Sequence, residues 1–377
     1  MQPKRTMMGH NTKFDIPKEM GAWVLSDPNN IQIKKKPVPE PKEDEVLLKI
    51  DAVAICATDL EIIAHGKPAQ IEGQMPFNKN YTPGHEAMGR VVKLGSAVDN
   101  FKIGDRVAVE IHAGCSRCEM CVKGWYTACL NYGFASKGHK ANGFTTDGAF
   151  AEYMTNRTRT LVKVPDDMSD EEATLAVTAG TSMYTLDVMG GLFAGQTMVI
   201  TGPGPIGLCA VGVASALGAE VILTGTRDNR LETGKKLGAS HVINVTKENA
   251  VEKVRRLTDG IGAHYVLECS GAANAINDAA LMIRRGGKIG LAAFPSKPVE
   301  VDIANLVRNN AYIYATRGEG KSACHRAMAL MAQKRFDAKL IHTHTFAMKD
   351  LQTGLKYTKD RIEDAIKVVV RNDQRLI

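Results

Sequence analysis

The sequence has no block of like charge, no low-complexity linker and no repeat of solenoid period. The missing charge blocks count against a nucleic-acid surface: 48 Lys and Arg against 41 Asp and Glu leave +7, spread along the chain. The first twenty residues hold no apolar run of the kind that heads a secretory signal, so a cytoplasmic protein with no membrane partner is expected. No Lys, Arg, Asp or Glu stands between Asp187 and Glu220. That stretch is long enough to span a bilayer, but Gly202, Pro203, Gly204, Pro205 and Gly207 interrupt it, and it reads as a buried strand, turn and helix. With 44% hydrophobic and 24% charged among 377 residues, disorder, collagen and a disulfide scaffold are excluded, and the length fits two or three domains.

Four of the eight cysteines, Cys115, Cys118, Cys121 and Cys129, form a C-x2-C-x2-C-x7-C cluster, while Cys56, Cys209, Cys269 and Cys324 are scattered singly. In a reducing compartment such a cluster reads as metal ligands ahead of disulfides. Four thiolates close a tetrahedral zinc site and leave no open position, which makes the site structural. A redox set is the competing reading.

Up to about residue 165 the chain shows short strands and turns (EVLLKIDAVAI, GRVVKLG, DRVAVEI, GAFAEYM), as in an irregular β-rich domain. From about 180 strands alternate with helical lengths (MVITG, VILTG, HVINV, YVLEC, KIGLAAF), which implies an α/β unit with a parallel sheet. After about 315, RGEGKSACHRAMALMAQKRF and the stretch from MKDLQTGLKY read as helices, followed by a strand AIKVVV. We therefore expect a β-rich domain over 1–178, rejoined by 316–377, with a doubly wound parallel-sheet domain over 179–315.

MVITG runs into GPGPIG, which puts Gly202, Gly204 and Gly207 on a G-x-G-x-x-G pattern between strand and helix, with Pro205 and Ile206 at the helix start. The first glycine makes the turn, the second admits a pyrophosphate, and the third lets the helix pack close. Phosphate there meets the free N–H groups of the helix N-terminus. At the end of the next strand, where an acid would hold the ribose hydroxyls of NAD, stand Gly225, Thr226 and Arg227, with Arg230 one turn on. A guanidinium suits a 2′-phosphate, so NADP is favoured over NAD. The alternative makes Arg227 and Arg230 a solvated helix start, with Asp228 serving the ribose.

The cysteine cluster, the glycine-rich turn and the segment GHEAMG together resemble the zinc-dependent medium-chain dehydrogenase/reductase family, closest to its polyol (sorbitol-like) and threonine dehydrogenase branches. The resemblance runs from about residue 20 to 370. It implies a GroES-like catalytic domain with a Rossmann domain inserted, the active site between them, and a homodimer or homotetramer joined partly through AYIYATRG. It implies two zinc ions per chain. The catalytic one would be held by Cys56 of ICATDL and by His85 and Glu86 of PGHEAMG, with Asp59 orienting a ligand; thiolate and imidazole suit that metal. The substrate alcohol's proton would pass to Thr58. The relay histidine of the family is Glu61 here, so Glu61 or, one helical turn later, His65 takes the proton on.

The family's third protein ligand has no counterpart in EEATLAVTAGTSMYTL, where Val177 and Thr178 stand; Glu152 is a distant substitute, more readily a buried structural acid. The expected activity is hydride transfer between NAD(P) and a secondary alcohol or ketone. A polyol, vicinal diol or hydroxy amino acid is the expected substrate, with Glu61, Glu110, His112 and Arg317 as candidate polar contacts. A zinc-free NADPH-dependent enone or quinone reductase of the same fold is the first alternative, and a dinucleotide-binding protein without turnover the second.

Overall fold

A computed structural model describes residues 14–66 and 80–377. The start of the expected first domain, and most of the segment read for a leader, lie outside the described residues.

Two sheets organise the chain. The first has seven strands, with His342–Ala347, Lys367–Arg371, Glu45–Ala54, Glu86–Leu94, Arg106–Val109 and Leu161–Lys163 in that order and Tyr153–Arg157 added beside Glu45–Ala54. Glu45–Ala54 is buried along nearly its whole length because three strands pair with it and apolar side chains occupy both faces. The second sheet is wholly parallel, ordered His241–Asn244, Glu220–Gly225, Thr197–Thr201, Ala263–Glu268, Ile283–Leu291, Tyr312–Ala315. Growth outward from Thr197–Thr201 in both directions is the doubly wound order, and it opens a crevice beside that strand.

The charge-free stretch becomes the fully buried strand Thr197–Thr201 and the helix Pro205–Ala216. Its composition follows from its place: helices cover a parallel sheet on both faces, so central strands and inward helices lack water-facing positions. Gly202 has φ 87°, and a Cβ there would lie 2.8 Å from the Ser270 backbone; a Cβ on Gly207 would lie 2.1 Å from the Gly202 carbonyl oxygen. Around Gly204 a Cβ meets nothing within 4 Å, which leaves open space in front of the helix start.

Three expectations shift. The boundary at 178 falls inside the helix Ala176–Val188. The helix Ala323–Ala332 begins later than RGEGKS suggests, because Lys321 and Ser322 take left-handed backbone with φ 50° and 61°. That helix also lies between the two sheets, against the helix Ala176–Val188 and the strand Leu161–Lys163. Its Ala323, Cys324, Ala327, Met328 and Met331 share one apolar cluster with Met198, Ile200 and Val211 of the parallel-sheet unit and with Ala52, Met88 and Ala108 of the other sheet. One core therefore runs through both halves. No helix among the described residues is long and apolar enough to cross a membrane.

Candidate active site and metal centres

Cys56 precedes the helix Ala57–His65, and His85 and Glu86 open the strand Glu86–Leu94, whose Glu86 pairs in register with Ala54. Sheet pairing thus brings the two motifs together. The ligand atoms of Cys56, His85 and Glu86 lie within 4.8 Å of one another. Asp59, fully buried, serves two of them: its Oδ2 accepts the Cys56 backbone N–H at 2.9 Å, and its Oδ1 lies 3.1 Å from His85 Nδ1. Burial disfavours the His85 imidazolium, but the Asp59 carboxylate outweighs it and raises His85 well above its ordinary range. With Nδ1 turned to Asp59, Nε2 is the nitrogen left for a metal, the usual carboxylate–histidine–zinc arrangement. Thiol, imidazole and carboxylate converging in a buried corner fit zinc.

Two partners of Glu86 come from segments in which the sequence reading saw no site residue. Its carboxylate pairs with Lys367, a fully enclosed lysine at the start of the strand Lys367–Arg371, and Oε2 accepts from Thr178 Oγ1 at 3.3 Å. Burial disfavours the Lys367 ammonium, but Glu86 and Cys56 outweigh it and raise its pKa. A lysine ahead of VVV in an otherwise apolar strand was the available signal, since a buried cation requires a buried partner. Val177 packs with Ile111, Ala141 and Phe144 and offers no ligand atom. Glu152 is turned elsewhere; it accepts from the N–H groups of Gly21 and Leu376.

Thr58 Oγ1 lies 3.7 Å from Cys56 Sγ. Glu61 and His65 are on the outer face of the same helix, three-quarters exposed, with 3.7 Å between Glu61 Oε2 and His65 Nε2. Arg317 donates to the Thr127 carbonyl and covers the Tyr132 ring at 4.6 Å, whereas Glu110 and His112 are buried.

The sulfurs of Cys115, Cys118, Cys121 and Cys129 also lie within 4.8 Å of one another, all as free thiols. Asn131 donates to two of them, Nδ2 to Cys115 at 3.2 Å and N–H to Cys129 at 3.4 Å. Burial opposes ionisation of Cys115, but Asn131 and the N–H groups of Arg117 and Cys118 bring it down to about 6. A Cβ on Gly114 (φ 54°) would lie 2.5 Å from Cys121 Sγ, so the loop needs glycine to close around the cluster. Four sulfurs held this way fit a closed zinc site.

At the crevice of the parallel sheet lies a cavity of about 650 Å³ lined by Gly202, Pro203, Gly225, Thr226, Lys247 and Ser270. Glu268, buried at the end of its strand, accepts from the N–H groups of Ser270 and Gly271 and from the hydroxyls of Thr201 and Ser270, and so fixes the facing loop. One expectation is corrected here. Arg230 does not line this cavity: its guanidinium is buried and donates to the Ala365 carbonyl at 2.6 Å. Gly225 does line it, and Pro203 also requires the missing side chain, since its Cδ lies 2.4 Å from where a Cβ would be. Lys247, unforeseen, brings a cation to the cavity and pairs with Asp228 at 2.6 Å.

Residues 42–166 match the family model described as alcohol dehydrogenase GroES-like domain, and residues 205–333 match that of zinc-binding dehydrogenase. A sorbitol dehydrogenase of Bacillus subtilis is 32% identical over 357 residues, covering 94% of this chain and 98% of its own. The chain belongs to the zinc-dependent medium-chain dehydrogenase/reductase family. An L-threonine 3-dehydrogenase of Pyrococcus horikoshii is 37% identical over 271 residues, 72% of this chain and 74% of its own. Among solved structures, an Escherichia coli oxidoreductase of unknown specificity involved in membrane biogenesis superposes with TM-score 0.86 at 28% identity, covering 94% of this chain and 99% of that one. In this family setting the protein is an NAD(P)-dependent dehydrogenase with a GroES-like and a Rossmann part.

The double role of Asp59 has a measurable consequence. Asp59→Asn keeps the shape and removes the charge beside His85, and we expect the affinity of the Cys56 centre for zinc to fall about 10- to 100-fold. Competition with a chromophoric chelator measures it, and the four-cysteine centre serves as the internal reference.

Proposed function

We propose that the protein oxidises a secondary alcohol of a polyol, vicinal diol or hydroxy amino acid, reversibly, with NADP preferred over NAD and zinc held by Cys56, His85 and Glu86. The observation that carries this reading is the convergence of those three ligands within 4.8 Å, with the Thr58 hydroxyl beside Cys56. The sorbitol and threonine dehydrogenases to which the chain is similar give the substrate range. All eight cysteines are free thiols, which suits a reducing, cytoplasmic setting.

Zinc, when bound, supplies the Lewis acidity that favours the substrate alkoxide. The crevice lined by Gly202, Pro203 and Thr226 would hold a nicotinamide dinucleotide, which would supply the hydride acceptor. The protein's own residues do the rest. Asp59 and the helix start keep Cys56 and His85 oriented, and Lys367 balances the charge of buried Glu86. Thr58 receives the hydroxyl proton and, three and seven residues on, Glu61 and His65 lie on the same face of the helix, exposed enough to release it to water. Cys115, Cys118, Cys121 and Cys129 hold a second, structural zinc.

Elemental analysis tests the reading directly. We expect about two zinc ions per chain in the native protein, about one in Cys56→Ser, and a loss of alcohol oxidation of at least about a thousandfold in that variant. One zinc in the native protein, with full activity of Cys56→Ser on an enone or quinone, would establish the reductase reading that Val177 in the ligand position favours.

For the cofactor, Lys247 and Arg227 supply the positive charge and Thr226 the hydroxyl at the adenosine end. Lys247→Ala should raise KM for NADP about tenfold and move KM for NAD much less, as initial-rate kinetics with both cofactors will show.

The strand Tyr312–Ala315 is the edge of the parallel sheet, with Tyr312 and Ile313 exposed and the apolar Ile303 and Val307 of the preceding helix exposed nearby. A second copy covering this edge makes a homodimer, and a homotetramer requires further surfaces. Light scattering should give at least a dimer for the native protein and a monomer for Ile313→Lys.

A further inference from the structure

A cavity of about 460 Å³ lies where the strand Leu161–Lys163 meets the helix Ala323–Ala332. None of the metal ligands lines it, and it shares no lining residue with the crevice of the parallel sheet. Phe101 and Val162 of the β-rich half and Met328 and Ala329 of the helix give it apolar walls. Its titratable groups are Arg159, Lys163 and His325, and no carboxylate lines it among the described residues. Lys163 already has a partner in Asp105, at 3.2 Å. Burial holds His325 below the usual imidazole range, so that ring is neutral near pH 7.

Arg159 differs from both. It sits in the turn Thr158–Thr160 that leads into the strand Leu161–Lys163. Its Nε and Nη2 are buried and have no hydrogen-bond partner among the described residues. The Tyr126 ring covers the flat face of the guanidinium, 5.2 Å from Cζ to the ring centroid, and leaves the edge free. Nε–H and the neighbouring Nη2–H point the same way along that edge, which is the fork that takes both oxygens of one carboxylate. A guanidinium cannot shed its charge to escape burial as an imidazole can, so an anion is what this edge lacks.

We propose that this cavity is a second ligand site, for a carboxylate that carries an apolar chain. The carboxylate meets the Nε–Nη2 edge of Arg159, and the chain lies along Phe101, Val162, Met328 and Ala329. The volume is that of a small-molecule site. A single unpaired cation among apolar walls suits one negative charge on a hydrocarbon body, and it suits neither a polyphosphate nor a cation. Such a ligand touches the β-rich sheet and the helix of the shared core together, so its binding ties the two halves at a place remote from the metal ligands.

Calorimetric titration of the zinc-loaded full chain with dodecanoate, at neutral pH and below its micelle concentration, tests it. We expect one site per chain with a Kd below about 1 mM. Arg159→Met keeps the apolar stem and removes the fork, and should weaken binding at least about tenfold. Dodecyltrimethylammonium, with the same chain and the opposite charge, should bind the native protein no better than dodecanoate binds that variant. Ala329→Trp, at an exposed position of its helix, should fill the cavity and abolish binding. Absence of a site in the native protein, or a site that survives Ala329→Trp, overturns the proposal. Equal binding of the cationic chain overturns it too, because the cavity is then merely apolar. Tyr126 lies between Cys121 and Cys129, so Arg159 also stands beside the four-cysteine loop. Elemental analysis of Arg159→Met separates the two roles: unchanged zinc is the expected result, and loss of one zinc per chain assigns the guanidinium to that loop and overturns the proposal. If Arg159→Met fails to fold, Ala329→Trp and the cationic chain decide the matter.

Discussion

The Asp59 carboxylate holds the corner of Cys56, His85 and Glu86 together. One oxygen fixes the backbone at Cys56 and the other faces His85, so a single buried side chain couples the start of a helix to the head of a strand. The antiparallel register of Ala54 with Glu86 brings those two segments side by side, and Asp59 then fixes the directions of their donor atoms. A buried carboxylate tolerates no loss of either partner, because each removes a favourable contact from a site that water does not reach. This corner is therefore as rigid as the strand pair that carries it.

Charge inside this corner is balanced in pairs drawn from distant parts of the chain. Asp59 meets His85, Lys367 meets Glu86, and Glu319 meets His112. Each pair joins different elements, so the pairs also clamp the tertiary structure. The shared apolar cluster does the same in nonpolar terms, with Ala323–Ala332 packed where the two halves meet.

What was legible from sequence depended on whether the chemistry is local. The four-cysteine cluster and the glycine-rich turn announce themselves because their atoms are brought together by a few residues of loop, and all five strands expected in the parallel sheet are present. Cys56, His85 and Glu86 needed the family resemblance, since only strand pairing unites them. Thr178 and Lys247 had no local pattern, and Lys367 showed only as a charge at the head of an apolar strand; their places come from register and from loop closure. Arg230 was misassigned because helical spacing places it near the cavity while its long side chain turns to Ala365.

The strand Lys367–Arg371 lies against Glu45–Ala54, almost the whole chain away, and it carries the lysine that neutralises Glu86. During synthesis the GroES-like sheet therefore waits, with its middle strand lacking a neighbour and a carboxylate lacking its counter-charge, until the Rossmann part has emerged and folded. Such non-local closure is slow, and it exposes a strand edge to other nascent chains. The corner of Cys56, His85 and Glu86 is consequently complete only once Lys367 has been made.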